Sequence, residues 1–317
     1  MCKVMMMAGI NSGNREKAWA FIKEMAKELS PGNTDGLGYA AMSEGGDLFG
    51  ERWHNNSEAF VARELPAIVS NFEQHLLSSY KGALKTKAAP VKYNKFGSLQ
   101  PDSITAITLH TRMATSAKDF MNTHPFVVGN TSLIHNGVIR NASQLELKQS
   151  TCDSEAILNL YVKHRVFEKP EAIQTVANKL QGYYACGVFS SNKAQGRFLD
   201  VFKCEMASLN AAYVRDLDTI VFSTRVEDIR AVCGRLGFEV AHEFVFASDT
   251  LLRLDALTGE VLDRVEFESS VVAVPQKTKG RKDKTPKVSH YRDLRIAPES
   301  ESMWSYQGGN WYRKGED

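Results

Sequence analysis

The chain has 317 residues, 43% of them hydrophobic and 24% charged, with a formal net charge of +2. This is an ordinary globular composition, with enough chain for one large domain or two small ones. A charge so close to balance argues neither for nor against a polyanionic partner.

No apolar run approaches the roughly 18 residues that a membrane helix needs, so no membrane association is expected. The opening MCKVMMMAGINSG has no basic leading region and no cleavage-site pattern, which argues against a signal peptide. The five cysteines (Cys2, Cys152, Cys186, Cys204, Cys233) form no CxxC pair and no metal-ligand spacing, so neither a metal nor a cofactor is expected. An odd, scattered set suits a reducing compartment, and a cytoplasmic location is the expectation.

In chain order, residues 3–10 (KVMMMAGI) read as a buried strand. Residues 14–29 read as a helix with Trp19, Ile22, Met25, Ala26 and Leu29 on one face. Residues 37–43 and 46–53 form a hairpin around Glu44-Gly45-Gly46. Residues 57–78 are helical in period, interrupted by Pro66, and 80–102 read as a long polar, basic loop. Residues 104–110 and 131–135 are strand-like, and 154–167 and 170–180 are helical. Strands are expected at 183–190, 197–204, 209–214, 218–223 and 243–255, with a helix over 225–236 closed by Gly237. Strands and helices come in blocks rather than in regular alternation, which defines an α+β fold.

The character changes after about residue 266. Residues 276–287 (QKTKGRKDKTPK) carry six basic residues and one acid and read as a solvated linker. Six basic residues in a linker do not by themselves make a nucleic-acid site, and none is expected. The last segment holds Trp304, Tyr306, Trp311 and Tyr312 without a core-forming period. Two regions follow: a folded domain over 2–265 and a basic, aromatic tail over 266–317. The tail is either disordered or a docking segment, since Trp and Tyr are over-represented at interaction hot spots.

Four short segments carry candidate chemistry. Removal of Met1 would leave Cys2 with a thiol and a free α-amine, and an amine with a pKa near 8 is a usable base at neutral pH. The plain alternative is a partly buried cysteine. Arg112 follows an apolar strand, and its guanidinium can grip a carboxylate through two hydrogen bonds; the alternative is a surface ion pair. Asn136-Gly137 could supply two uncharged donors to one point, an oxyanion hole, or could simply be a hairpin turn. Asp153 could accept hydrogen bonds from an ammonium group, or cap the helix that begins near Ser154.

Each feature is weak alone, but their order is specific. The chain resembles the class II glutamine amidotransferases. It does so in the N-terminal MC, in Asp35-Gly36-Leu37-Gly38-Tyr39, in HTRMAT where that family often has HTRWAT, in THPF, in IHNGVIRN and in CDSEAI. The resemblance runs from residue 2 to about 262. It implies the four-layer αββα sandwich of N-terminal-nucleophile hydrolases. It implies Cys2 as nucleophile, Asn136 and Gly137 as oxyanion hole, and Arg112, Asp153 and Thr115 as contacts to L-glutamine. The expected activity is hydrolysis of the glutamine side-chain amide through a Cys2 thioester, with ammonia supplied to a separate synthase or ligase. The alternatives are a stand-alone γ-glutamyl amide hydrolase and a non-catalytic binding protein on the same fold. Lys3 stands where the family commonly has Gly, which would set a cation beside the nucleophile and either lower its pKa or mark an altered site. Met113 replaces a frequent Trp, and His110, His124 and His135 read as structural.

Overall fold

After Lys3, β1 (Lys3–Ala8) is an unbroken apolar run from Val4 to Ala8 because both of its faces are covered there. Its alternation divides the side chains between two cores. Val4, Met6 and Ala8 join Leu133, Ile134, Val188 and Phe202 on one side. Met5 and Met7 join Trp19, Phe21, Ile22 and Met25 on the other. The computed structural model describes residues 2–54, 104–114, 117–192, 195–270, 304–307 and 310–313. The chain divides into two units, Met1–Ser270 and Val271–Asp317.

In the first unit, β1 lies inside a seven-stranded sheet. Its partners are β2 (Gly36–Ser43), β3 (Leu48–His54), β4 (Ile104–Thr111), β9 (Asn210–Val214), β10 (Thr219–Ser223) and β11 (Val240–Val245). The order is β11-β9-β10-β1-β4-β2-β3. A six-stranded sheet contains β5 (Phe126–Val128), β6 (Thr131–Ile139), β7 (Gly182–Asn192), β8 (Gly196–Lys203), β12 (Thr250–Asp255) and β13 (Val261–Glu266). Its order is β13-β12-β8-β7-β6-β5. Every pairing within both sheets is antiparallel.

α1 (Arg15–Leu29) and α4 (Val226–Leu236) cover the outer face of the first sheet. The buried stripe of α1 is the one read from the sequence, widened by Ala18 and Phe21. Truncating the fully buried Phe21 to Ala would cost about 3–5 kcal/mol. α2 (Asp153–Lys163) and α3 (Ile173–Ala177) cover the second sheet, which completes a helix–sheet–sheet–helix stack. A buried clamp ties α2 down. Arg253 on β12 holds Asp200 on β8 through two bonds of 2.8 and 2.7 Å, and Tyr161 of α2 donates to the same carboxylate at 2.5 Å. No helix among the described residues is long and apolar enough to cross a membrane.

Several expectations are corrected. The run 243–255 is two strands in different sheets, β11 and β12, broken by a turn at Ser248-Asp249. Both halves are β-formers, and only the break reveals the change of sheet. β6 runs on through Asn136-Gly137 to Ile139, so this Asn-Gly is not a turn; Asn136 pairs with Ala185 and Gly137 with Tyr184. The helix read over 170–180 is a short 3₁₀ turn followed by five α-helical residues. β5 and β13 carry too little period to be read in advance. The expected helix over 57–78 and the loop over 80–102 lie outside the described residues, as does the basic linker at 276–287.

In the second unit, β14 (Trp304–Gln307) pairs antiparallel with β15 (Asn310–Arg313), with Trp304 opposite Arg313. This hairpin lies in the aromatic segment that has no core-forming period.

Candidate active site

Cys2 immediately precedes β1. Lys3 pairs with Thr111 and Val4 with His110, so one further step in the register sets Arg112 opposite Cys2. Cys2 shares the parity of Val4 and Met6 and therefore faces the second sheet. Its Sγ accepts the Met113 backbone N–H at 3.4 Å and lies 3.4 Å from the Met113 carbonyl oxygen. Burial pushes the thiol up; the Met113 N–H and the Arg112 charge pull it down, and the Asp153 charge pushes it up. The thiol is therefore mostly protonated at neutral pH and needs a base to react.

The other four cysteines are buried. Burial pushes Cys152 up to about 12 and Cys233 to about 11, and raises Cys186 and Cys204 as well. Cys2 alone among the cysteines is partly exposed.

Lys3 does not act as its position in the sequence suggests. It has the opposite parity from Cys2 and points into the helical layer. Its Nζ lies 3.4 Å from Asp228 Oδ1 on α4 and 3.4 Å from the Glu28 carbonyl near the end of α1. It is not among the main groups that shift the Cys2 thiol.

Arg112 is buried. Its backbone N–H donates to the Gly36 carbonyl at 2.8 Å, and Nη2 donates to the Ala117 carbonyl at 2.8 Å. Asp35 fixes the segment that follows. Its Oδ2 accepts the Ala114 N–H at 2.8 Å and its Oδ1 lies 2.6 Å from Lys118 Nζ. Burial works against the Asp35 charge, but the Lys118 and Ala114 contacts outweigh it and hold the carboxyl low. Close approach explains Gly38 nearby: a Cβ there would sit 2.1 Å from the His124 carbonyl oxygen. Thr115 lies outside the described residues.

Asn136 and Gly137 are on β6, in the sheet that Cys2 faces. Gly137 has φ +155, and a Cβ would meet the Tyr183 carbonyl oxygen at 2.0 Å, so no other residue fits this backbone. Asn136 is buried, with Nδ2 3.5 Å from Thr224 Oγ1 and Oδ1 without a partner. Thr224 Oγ1 already accepts the Val4 N–H at 2.9 Å, so its own hydrogen is available to donate. Turning the amide over lets Thr224 donate to Oδ1 and leaves the NH₂ as the open end, as an oxyanion donor requires. Thr224 thus links the strand that Cys2 heads to Asn136. It was not singled out in the sequence, where it is only the last residue before a helix.

Asp153 is the first residue of α2, and Cys152 is the cap position, without a side-chain capping bond. The expected cap role is therefore not the one observed. Asp153 Oδ2 instead accepts the Ile139 N–H at 2.6 Å, from the end of the strand that carries Asn136-Gly137.

Behind these residues lies a buried polar cluster. Ser154 Oγ is 2.8 Å from His124 Nε2 and 2.9 Å from His135 Nδ1. The His110 and His124 rings lie 3.9 Å apart. Burial, reinforced by the neighbouring charges of His135 and Arg112, brings His110 down to about 3. Burial likewise pulls His124 well below its usual value and lowers His135. These imidazoles are neutral at pH 7. Among the described residues, no group of three or more His, Cys, Asp or Glu is arranged to hold a metal ion.

No protein-family profile matches the chain. It is 26% identical over 171 residues to the glutamine–fructose-6-phosphate aminotransferase [isomerizing] of Bacillus subtilis (strain 168), a match covering 50% of this chain and 28% of that protein. It is 30% identical over 95 residues to the enzyme of the same name from Acinetobacter baylyi, covering 26% of this chain and 15% of that protein. In fold it is similar to the glutamine phosphoribosylpyrophosphate amidotransferase of B. subtilis solved with ADP and GMP, with a TM-score of 0.53, 14% identity, and 86% and 50% of the two chains covered. It is also similar to a solved allosteric regulatory enzyme of purine biosynthesis, with a TM-score of 0.56, 15% identity, and 85% and 50% covered. The chain spans about half the length of these solved chains and less than a third of the curated relatives.

The two antiparallel sheets packed between helical layers, with Cys2 at the head of an interior strand, are the N-terminal-nucleophile hydrolase fold. Within that fold the chain is similar, over part of its length, to glutamine-dependent aminotransferases and amidotransferases.

Proposed function

We propose that this chain hydrolyses the side-chain amide of L-glutamine through a thioester on Cys2. The observation that carries the reading is the strand register. It sets the partly exposed thiol opposite Arg112 and facing the sheet that bears Asn136-Gly137, with Thr224 joining the two. The likeness to glutamine-dependent amidotransferases supports the same reaction class.

With Met1 removed, the α-amine of Cys2 takes the thiol proton, and Sγ attacks the amide carbon. The Asn136 amide and the Gly137 N–H receive the oxyanion. Arg112 binds the glutamine α-carboxylate and Asp153 its α-ammonium group. The α-ammonium of Cys2 returns its proton to the leaving ammonia. Water then cleaves the thioester, giving glutamate and the free thiol. By its likeness to amidotransferases, the chain passes this ammonia to an acceptor enzyme. Thr115 remains a proposed further contact to glutamine.

The test is release of glutamate and ammonia from free glutamine by the full chain. Equal release by the Cys2→Ser variant, or none by the natural chain, defeats the proposal.

A further inference from the structure

Cys2 stands between two flanks. β1 runs antiparallel between β4 and β10, so the C-terminal ends of both neighbours finish beside its start. The β4 end leads to Arg112 and Met113. The β10 end leads to Thr224 and Arg225, with the start of β9 at Asn210 next to it. On this second flank lies a cleft of about 420 Å³, lined by Cys2, Lys3, Ser208, Asn210, Thr224, Arg225 and Glu227. Arg112, Asn136 and Asp153 are not among its walls.

The glutamyl half of a substrate does not account for this space. If its α-groups lie toward Arg112 and Asp153, its amide carbon is at Sγ, and whatever the amide nitrogen carries points to the other flank. Ammonia is about the size of water, whose share of liquid volume is roughly 30 Å³, so the cleft is far too large for ammonia alone. Its volume falls in the range of small-molecule pockets.

Its walls include polar groups. Arg225 and Glu227 lie 3.7 Å apart with both side chains 55% exposed. Such an exposed pair is weak, so Arg225 is free to exchange Glu227 for a ligand carboxylate. Asn210 donates to the Thr224 carbonyl at 2.9 Å and is held in place by it. Ser208 adds an exposed hydroxyl.

We propose that this cleft is a leaving-group subsite. It takes the substituent on the nitrogen of a γ-glutamyl amide, namely an amino acid linked through its amine, with its carboxylate on Arg225. The inference rests on Cys2 being the nucleophile, and free glutamine becomes the smallest substrate. Sγ bonds to the γ-carbonyl carbon, the C–N bond breaks, and the amino acid departs with the proton held by the Cys2 α-amine. Water then cleaves the thioester, so that one amide and one water give glutamate and one free amino acid.

The test compares kcat/KM of the full chain on γ-glutamylglycine, on γ-glutamyl methylamide, which lacks only the carboxylate, and on glutamine. The dipeptide is expected to exceed the methylamide about tenfold, the low end for a charge-assisted contact at an exposed site. Arg225→Ala should bring that ratio close to one, and Arg225→Lys should restore part of it. Equal turnover of dipeptide and methylamide, or an unchanged ratio in Arg225→Ala, overturns the subsite. So does hydrolysis of glutamine with both substituted amides refused, a result that leaves Cys2 as nucleophile. No turnover of any amide, together with an unlabelled Cys2, overturns the nucleophile and the subsite together.

Discussion

Lys3 and Asp228 form an ion pair at 3.4 Å that turns the lysine away from the neighbouring Cys2 thiol and into the helical layer. The Asp228 side chain is 4% exposed, and burial raises its pKa despite the lysine. Lys3 is therefore a structural partner. Replacing it with Met should cost about 1–3 kcal/mol, because it leaves a buried carboxylate without its cation. The pH profile of Cys2 alkylation should stay in place. A marked upward shift of that profile would show that Lys3 acts on the thiol after all.

Asn136 is expected to matter for the rate rather than for binding. Losing one oxyanion donor costs about 10²–10³ in kcat. Asn136→Ala should bind glutamine with little change and lose turnover by that factor, as read by steady-state kinetics and by calorimetry of glutamine binding. Normal turnover would remove Asn136 from the site.

Gly137→Ala tests the backbone. The added Cβ would meet a carbonyl oxygen at 2.0 Å on a strand pairing that has no room to shift. Strain and overpacking together should cost about 3 kcal/mol, seen as a lower Tm, with glutaminase activity lost. A variant of natural stability would mean that β6 can open locally.

The histidine cluster predicts sensitivity to acid. His110, His124 and His135 have lowered pKa values in the fold, so below about pH 6.5 the unfolded chain binds more protons than the native one. Stability is then present above the unfolded value and falls as pH drops, by about 1.4 kcal/mol per pH unit for each histidine kept neutral. For His110 the fall continues to about pH 3. Denaturant midpoints between pH 7 and pH 5 should show this slope, and His110→Asn should reduce it. A flat profile would mean that the cluster is protonated in the native state.

Much of this was legible in the sequence, for identifiable reasons. β1, α1, the β2–β3 hairpin and α4 follow local period and turn chemistry, which act over a few residues. What escaped depended on long-range pairing. Asn136-Gly137 has the composition of a turn, yet β7 pairs with it across its whole length. The β11–β12 run is continuous in character, and only tertiary packing sends its halves to different sheets. Asp153 looks like a cap, but its carboxylate meets Ile139 of a neighbouring strand. Lys3 is adjacent to Cys2 in sequence, and strand alternation puts it on the opposite face. Thr224 and the cleft residues come to Cys2 only because β10 is next to β1.

The most direct test is the intact mass of the purified chain, before and after treatment with a glutamine-analogue electrophile. The expected result is a chain lacking Met1 that gains one adduct, mapped to Cys2, and loses glutaminase activity in step with labelling. A mature chain that retains Met1, or an adduct on another residue with activity unchanged, would contradict Cys2 as the nucleophile.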